Sequence, residues 1–365
     1  MKEIVNGHFK KAFGGIYHGR KVLVTGHTGF KGSWLCAWLK KLGAEVIGYA
    51  LPPPTNPNHF SLLKLDITSV LKDIRIFKEV TQTINEHKPE IIFHLAAQPL
   101  VLESYKNPRY TFETNILGSI NIYEAAKSCE TVKALLTITT DKVYLNREWP
   151  WPYRETDEIG GNDPYSASKA CVEMIVAAYS NLNLMTATAR AGNIIGGGDW
   201  SPDRILPDII RSLVNNHVLE VRYPNAIRPW QYVLDPLAGY LILGQKLLEK
   251  DSVARGTWNF GPSTTEMRSV MEILEAVQFI WKPIPFKIKE TQDSQEQAKE
   301  AQTLTLDSSK AISTLGWRPL YSIHKSIEKS INWYKAFYQH EQVPTARDLE
   351  CYMAQAQEQG CPWIN

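Results

Sequence analysis

Near the start of the chain a short apolar strand, a glycine-spaced loop and a helical run follow one another without interruption. Lys21-Val-Leu-Val-Thr25 reads as a buried strand, Gly26-His-Thr-Gly29-Phe-Lys-Gly32 as the loop, and Ser33 to Lys40 as the helix. Glycines at that junction let the backbone turn sharply and come close to a pyrophosphate. The helix N-terminus then offers N–H groups and a favourable dipole. Gly26, Thr28, Gly29, Phe30, Lys31 and Gly32 are therefore candidates for a dinucleotide site.

Strands and helices keep alternating after the loop. Ala44 to Ala50 is a second strand, and Lys72-Asp73-Ile74-Arg75 ends a third. A helix from Ile76 to His87 leads to a strand, Glu90 to Leu95, that empties into Ala96-Ala97-Gln98-Pro99. A helix over about 109–128, a strand from Ala134 to Thr139, a further helix and a sixth strand from Leu184 to Ala189 continue the pattern. This alternation predicts an α/β fold, a Rossmann-like doubly wound parallel sheet. Open sheets of this kind bind ligands across the carboxyl ends of their strands, which adds Asp73, Ile74, Leu95, Ala96 and Ala97 to the cofactor candidates. The second strand ends in Tyr49-Ala-Leu-Pro, with neither the acid that suits NAD nor an arginine that suits NADP, so this position leaves the choice open. Spacing at the first loop is GxxGxxG rather than GxGxxG.

Beyond residue 190 the composition shifts. Residues 1–190, with returning segments near 230–261, are expected to form the dinucleotide-binding domain, and 191–229 with 262–365 a smaller, mostly C-terminal α/β domain for substrate. Helices are expected from Asp208, over Ala238–Glu249, Arg268–Ile280 and Ile323–Tyr338, with a strand at Thr257–Gly261. Residues 1–20 read as an N-terminal extension, 282–310 carry no clear pattern, and the tail from Gln339 either docks or frays.

Two short motifs carry chemistry. Tyr165 and Lys169 stand four apart in a helix that Asp163 can cap, so they share one face. A cation near a phenol favours its ionised form, and such a tyrosine can take a proton from a hydroxyl while a hydride leaves the same carbon. The strand before that helix runs into Thr140-Asp141-Lys142, a hydroxyl, an acid and an amine at the sheet's ligand-binding edge. On the far side, Arg190-Ala-Gly-Asn193 and the cluster Gly196-Gly-Gly-Asp199-Trp200 suit a loop that closes over a polar ligand. Asn193, Arg204, Arg228 and Asn259 are the substrate-side candidates, since arginines among aromatics can grip a diphosphate.

Composition excludes several classes. A net charge of +2 with no long basic run gives no reason to expect nucleic acid, and no apolar stretch approaches a membrane span. Lys2, Lys10 and Lys11 sit among scattered polar residues, without the apolar core of a signal peptide, so a cytoplasmic protein is expected. The five cysteines are scattered and no CxxC occurs, so neither a disulfide framework nor a metal site is expected.

Together these motifs resemble the extended short-chain dehydrogenase/reductase superfamily, over roughly residues 18–338 and in matching order. Within it the chain is most similar to the subgroup of 4,6-dehydratases that act on CDP-glucose. That similarity is carried by Val24 to Trp34, Gly48 to Pro54, His94 to Val101, Thr139 to Tyr144, Arg190 to Asn193 and Arg228-Pro-Trp230. The resemblance implies NAD as cofactor, a nucleotide sugar as substrate, and dehydration by internal redox. It makes Thr140, Tyr165 and Lys169 the oxidising set, Asp141 the acid for the departing 6-hydroxyl, and Lys142 the base at C5. Lys142 could serve as base only as the neutral amine, which desolvation and nearby Lys169 would favour. The resemblance also implies a homodimer paired through the helices at about 109–128 and 164–181. A 4-epimerase, a dehydratase of dTDP-glucose or GDP-mannose, and a non-catalytic NAD(P)-binding regulator are the alternatives.

Overall fold

The computed structural model describes residues 10–181, 184–289 and 303–364. The first part of the expected N-terminal extension and much of the unassigned 282–310 stretch lie outside the described residues.

Seven strands form the central sheet: β1 (Lys21–Thr25), β2 (Glu45–Ala50), β3 (Thr68–Leu71), β4 (Ile91–His94), β5 (Ala134–Ile138), β6 (Met185–Ala191) and β7 (Gly256–Phe260). Their spatial order is β7-β6-β5-β4-β1-β2-β3, and every neighbouring pair is parallel. The expected Rossmann-like doubly wound sheet is present. β4, β5 and β6 are buried along their whole length, as strands covered by helices on both faces must be. The strand order reverses between β1 and β4, and the crevice at their carboxyl ends is where such a sheet takes ligands.

The helices that matter for the site are α1 (Phe30–Lys41), α2 (Phe77–His87), α3 (Gly118–Lys127), α4 (Pro164–Ala178), α5 (Ile205–Asn215), α6 (Leu234–Leu248), α7 (Val270–Ile280), α8 (Ile323–His340) and α9 (Thr345–Glu358). Asp163 caps α4 by accepting from the Ser166 N–H at 2.9 Å, and Pro164 fills the first turn.

Several boundaries differ from the expected ones, each for a local reason. The third strand stops at Leu71, leaving Lys72 to Arg75 in the loop, and the sixth continues to Ala191 because Ala191 still pairs with Phe260. The helix expected over about 109–128 is interrupted by a π turn at Glu113–Leu117. That extra residue per turn places Asn115 against the loop after β4 and against α4. Arg268 and Ser269 pair with Arg228 and Ile227 before α7 begins, and a reciprocal Ser269–Glu272 capping box starts the helix.

The tail docks. Tyr352 of α9 donates to the Oδ1 of Asp235 at 2.8 Å, and Trp363 stacks on Phe13 of the N-terminal segment at 4.9 Å. Asp235 Oδ1 also accepts from the Leu320 N–H, while its Oδ2 has no partner. Burial raises the Asp235 carboxyl to about 7 against those hydrogen bonds. Its pKa in the unfolded chain is about 3.9, so between about pH 4 and 7 the native state binds the extra proton and stability falls as pH rises. Asp235→Asn keeps an acceptor at Oδ1 but cannot titrate. The melting temperature of the variant relative to wild type should therefore climb across that window and level off above it, measured by thermal denaturation at a series of pH values.

Candidate active site

The glycine loop is shaped by space as well as by conformation. Gly26 has φ +74°, and a Cβ there would sit 2.8 Å from the Ala96 nitrogen; at Gly32 it would sit 2.1 Å from the Gly26 carbonyl. The turn from β1 into α1 thus closes onto the end of β4. No side chain caps the first N–H groups of α1, which face the loop. Thr25 locks the geometry by accepting from the N–H groups of Leu95 and Ala96, each at 3.1 Å, and by bonding to His94 Nδ1 at 2.7 Å. His94 Nε2 bonds to Ser119, and burial drops this histidine to about 3, so it stays neutral in the core. Thr28 donates to the Leu51 carbonyl at 2.9 Å. Ile74 is buried against Gly118, and the carboxylate of Asp73 is engaged by Arg75, at 2.9 Å to Nε and 2.6 Å to Nη2.

Where β2 carries no acid, a histidine fills the space. His27 is fully buried, bonds Ser69 through Nε2 at 2.8 Å, and leaves Nδ1 without a partner. Its ring lies where a side chain on Gly48 would be, 2.3 Å from that Cβ. Burial lowers it to about 4. A glycine cradle against β4 and an uncapped helix N-terminus fit a dinucleotide pyrophosphate; a carboxylate for the adenosine ribose is not offered by β2.

Beyond the loop an open cleft of two adjoining parts, about 270 and 600 Å³, runs from Phe30 and Lys31 past the β5 and β6 ends to the loops before α5 and around Arg228. Thr140 ends β5 and caps the turn Asp141–Val143, donating to Asp141 Oδ1 at 2.9 Å. The Tyr165 phenol lines the cleft together with Thr140. Lys169, one turn on, donates to the Ile138 carbonyl at 2.9 Å. Thr140, Asp141, Lys142 and Tyr165 therefore line one cleft with Lys31, Asn193, Arg204 and Arg228.

Electrostatics separate these groups. Burial pushes Tyr165 up to about 12, an effect that nearby Thr140 only partly offsets, so the expected easy ionisation is not a property of the protein alone. Burial lowers Lys169 to about 8, opposed by Glu173. Asp141 is raised by burial, against the pull of Lys142, Thr140 and Arg228, so it gives up its proton less readily than a free carboxyl. Lys31 falls to about 7 through burial, then Arg204 and Lys169, with Asp141 opposing.

Asn259 is not brought to the cleft. Fully buried in β7, it accepts from the Tyr144 hydroxyl at 2.8 Å and donates to the carbonyls of Tyr153 and Asp307. Every polar atom of its side chain is engaged within the fold, which leaves none for substrate. Arg204 pairs with Asp199 at 2.9 Å and Arg222 with Asp203 at 3.1 Å, so the arginines are held at the cleft by acids of the loop before α5.

One residue that no motif pointed to ties the site together. The buried carboxylate of Glu173, on α4, accepts from Thr139 at 2.5 Å, from Thr188 at 2.7 Å, and from both Nε and Nη2 of Arg190 at 3.0 Å. Arg190 continues to the Tyr144 hydroxyl at 2.7 Å and stacks over its ring. The signal was present as an acid four residues after Lys169, but its partners are revealed only when α4 packs on β5 and β6.

With this geometry in place, comparison with known proteins is direct. A sequence family described as GDP-mannose 4,6 dehydratase matches residues 23–330, and the chain belongs to that family. The CDP-glucose 4,6-dehydratase of Salmonella typhimurium is 42% identical over 93% of this chain and 98% of its own. A dTDP-glucose 4,6-dehydratase of Xanthomonas campestris is 27% identical over 86% of this chain and 92% of its own. Among solved structures, a UDP-glucose-4-epimerase of Stenotrophomonas maltophila with bound NAD matches with a TM-score of 0.75 and 25% identity, over 88% of this chain and 99% of that one. A dTDP-glucose 4,6-dehydratase of Bacillus anthracis in complex with NAD shares the fold, with a TM-score of 0.72 and 19% identity over 88% of this chain and 98% of that one. Among the described residues no helix is long and apolar enough to cross a membrane, and no group of three or more His, Cys, Asp or Glu side chains could hold a metal.

Removing Glu173 would leave the Arg190 guanidinium buried without its carboxylate. Glu173→Ala should cost about 3–5 kcal/mol in chemical denaturation, whereas Thr139→Val, which deletes one donor to the same carboxylate, should cost only about 1 kcal/mol.

Proposed function

We infer that this chain is an NAD-dependent hydro-lyase that converts CDP-glucose to CDP-4-keto-6-deoxyglucose. The observation that carries the reading is Asp141: a buried carboxyl, biased toward its protonated form, set beside Thr140 and Tyr165 at the cleft. Oxidation and re-reduction at C4 need only the hydroxyl, the tyrosine and the lysine. An acid in the same cleft is useful when a hydroxyl has to leave as water. The choice of CDP-glucose rests on the relative that is 42% identical across nearly the whole of both chains.

NAD, held by the Gly26–Gly32 loop, takes the hydride from C4 and returns it to C6. Tyr165, in the cleft with Thr140, receives the 4-hydroxyl proton, and the charge of Lys169, one helical turn on, offsets the developing phenolate. The new 4-ketone acidifies C5–H. Lys142 takes that proton while Asp141 gives its own to the 6-hydroxyl, which departs as water and leaves a C5–C6 double bond conjugated to the ketone. After reduction at C6 the proton returns to C5, so the sugar as a whole loses one water, the cofactor is unchanged overall, and the proton that Tyr165 took from the 4-hydroxyl balances the one that Asp141 gave to the departing water. Arg204, Arg222 and Arg228 at the cleft suit the diphosphate. We further infer a homodimer, supported by exposed Phe112, Leu117 and Met174 on helical segments that pack together, and a cytoplasmic location.

Incubation with CDP-glucose, dTDP-glucose, UDP-glucose and GDP-mannose, with and without NAD, should give a 4-keto-6-deoxy product from CDP-glucose, enhanced by NAD. A C4 epimer, or product only from another nucleotide, would sink the assignment. Lys142→Ala should keep C4 oxidation and lose elimination; full elimination activity in that variant would remove Lys142 from its role.

Lys169 also sets a pH limit. Its charge is present below about pH 8 and lost above it, so turnover should decline above about pH 8. Glu173 raises this pKa, so Glu173→Gln should move the decline to lower pH in a rate–pH profile.

A further inference from the structure

The stretch Arg190-Ala-Gly192-Asn193 lines the cleft without supplying an obvious chemical group at its glycine. Gly192 does not have a left-handed φ, so backbone conformation does not demand glycine there. Space does. A Cβ on Gly192 would lie 2.6 Å from Oδ2 of Asp141 and 2.8 Å from Cγ of Pro229, far inside contact distance. The end of β6 therefore forms one wall of the pocket that holds the Asp141 carboxyl.

The neighbours decide which side would yield. Pro229 is a rigid ring, and the segment around it is anchored: the Trp230 N–H donates to the Arg228 carbonyl at 3.0 Å, and its indole donates to the Arg268 carbonyl at 2.9 Å. Asp141 can rotate about its side-chain bonds, its Oδ1 held by the 2.9 Å bond from Thr140. A methyl group at 192 would thus displace the carboxylate and leave the backbone in place.

We propose that Gly192 is a positioning residue for elimination: by leaving room for the Asp141 carboxyl beside Thr140, it sets the acid where the departing hydroxyl must be protonated. This rests on the dehydratase reading above. Oxidation at C4 uses Thr140, Tyr165 and Lys169, whereas the three atoms nearest the space at Gly192 belong to Asp141 and Pro229. The two halves of the reaction should therefore separate in a variant.

The test is Gly192→Ala, with CDP-glucose and NAD, following reduced nicotinamide by its absorbance and the 4-keto-6-deoxy product separately. Product formation should fall by about 100-fold, the scale of a misplaced general acid, while reduced nicotinamide builds up because C4 oxidation persists. Undiminished product would overturn the proposal, as would a folded variant that loses oxidation and elimination in step.

A second measurement is independent of turnover. The melting temperatures of wild type, Gly192→Ala, Asp141→Ala and the double variant form a cycle. The drop caused by Gly192→Ala should be clearly smaller when Asp141 is already alanine. Equal drops in both backgrounds would show that the two residues do not compete for space. Should wild type form no product from any of the four sugar nucleotides, the assigned function fails, and the melting cycle still decides whether Gly192 and Asp141 share that pocket.

Discussion

The buried Glu173 carboxylate is the contact on which the site's geometry depends. It gathers a hydroxyl from the end of β5, another from β6 and the guanidinium of Arg190. Its own backbone belongs to α4, the helix that bears Tyr165 and Lys169. Three separate pieces of chain are thereby held at one register: the strand end that presents Thr140 and Asp141, the helix that presents the phenol, and the strand end that presents Gly192. A buried ion pair of this kind adds little net stability compared with an apolar pair of the same shape, but each half is costly without the other. Its use here is one of alignment, because its partners stand at the end of β5 and on β6 while its own backbone belongs to α4.

The same logic runs through the cofactor side. Thr25 receives two N–H groups from the loop after β4 and bonds His94, which in turn bonds Ser119. Asn115, displaced inward by the π turn, joins Gln98 to Ser168 of α4. A polar chain thus runs beneath the sheet's carboxyl edge from the glycine loop to the tyrosine helix. Each link is a short-range bond between buried groups, which lose more by breaking than they gain by forming. The edge is consequently stiff where the dinucleotide and sugar must meet.

How much of this the sequence could show follows from the range of each interaction. The glycine loop, the capped Tyr165 helix and the alternation of strands and helices are local patterns, and residues a few positions apart announce them. The third strand's end shifted by four residues and the sixth's by two, because pairing partners, such as Phe260 for Ala191, come from far away. Asn259 looked like a substrate ligand because an amide near aromatics suits one; only the packing of Tyr144, Tyr153 and Asp307 around it shows that its polar atoms are already engaged. Glu173 stood in view as an acid four residues past Lys169. Its partners lie on two other strands, and no spacing rule connects them. Docking of the tail depends on Tyr352 meeting Asp235, 117 residues away, which composition cannot foretell.

The division of labour at the cleft also explains how one fold can serve more than one reaction. In the proposed mechanism the groups for oxidation sit on α4 and at the end of β5, held from behind by Glu173. Asp141 and Lys142 stand one and two residues further along, on a turn that Thr140 caps. Adding elimination to this frame therefore requires no new element, only an acid, an amine and room for them. The room is a property of the facing strand. A carboxyl grafted onto the β5 end of a chain with any side chain at the position of Gly192 would meet that side chain before it met a substrate. The capacity to eliminate water thus depends on two strands agreeing, one supplying the acid and the other leaving it space.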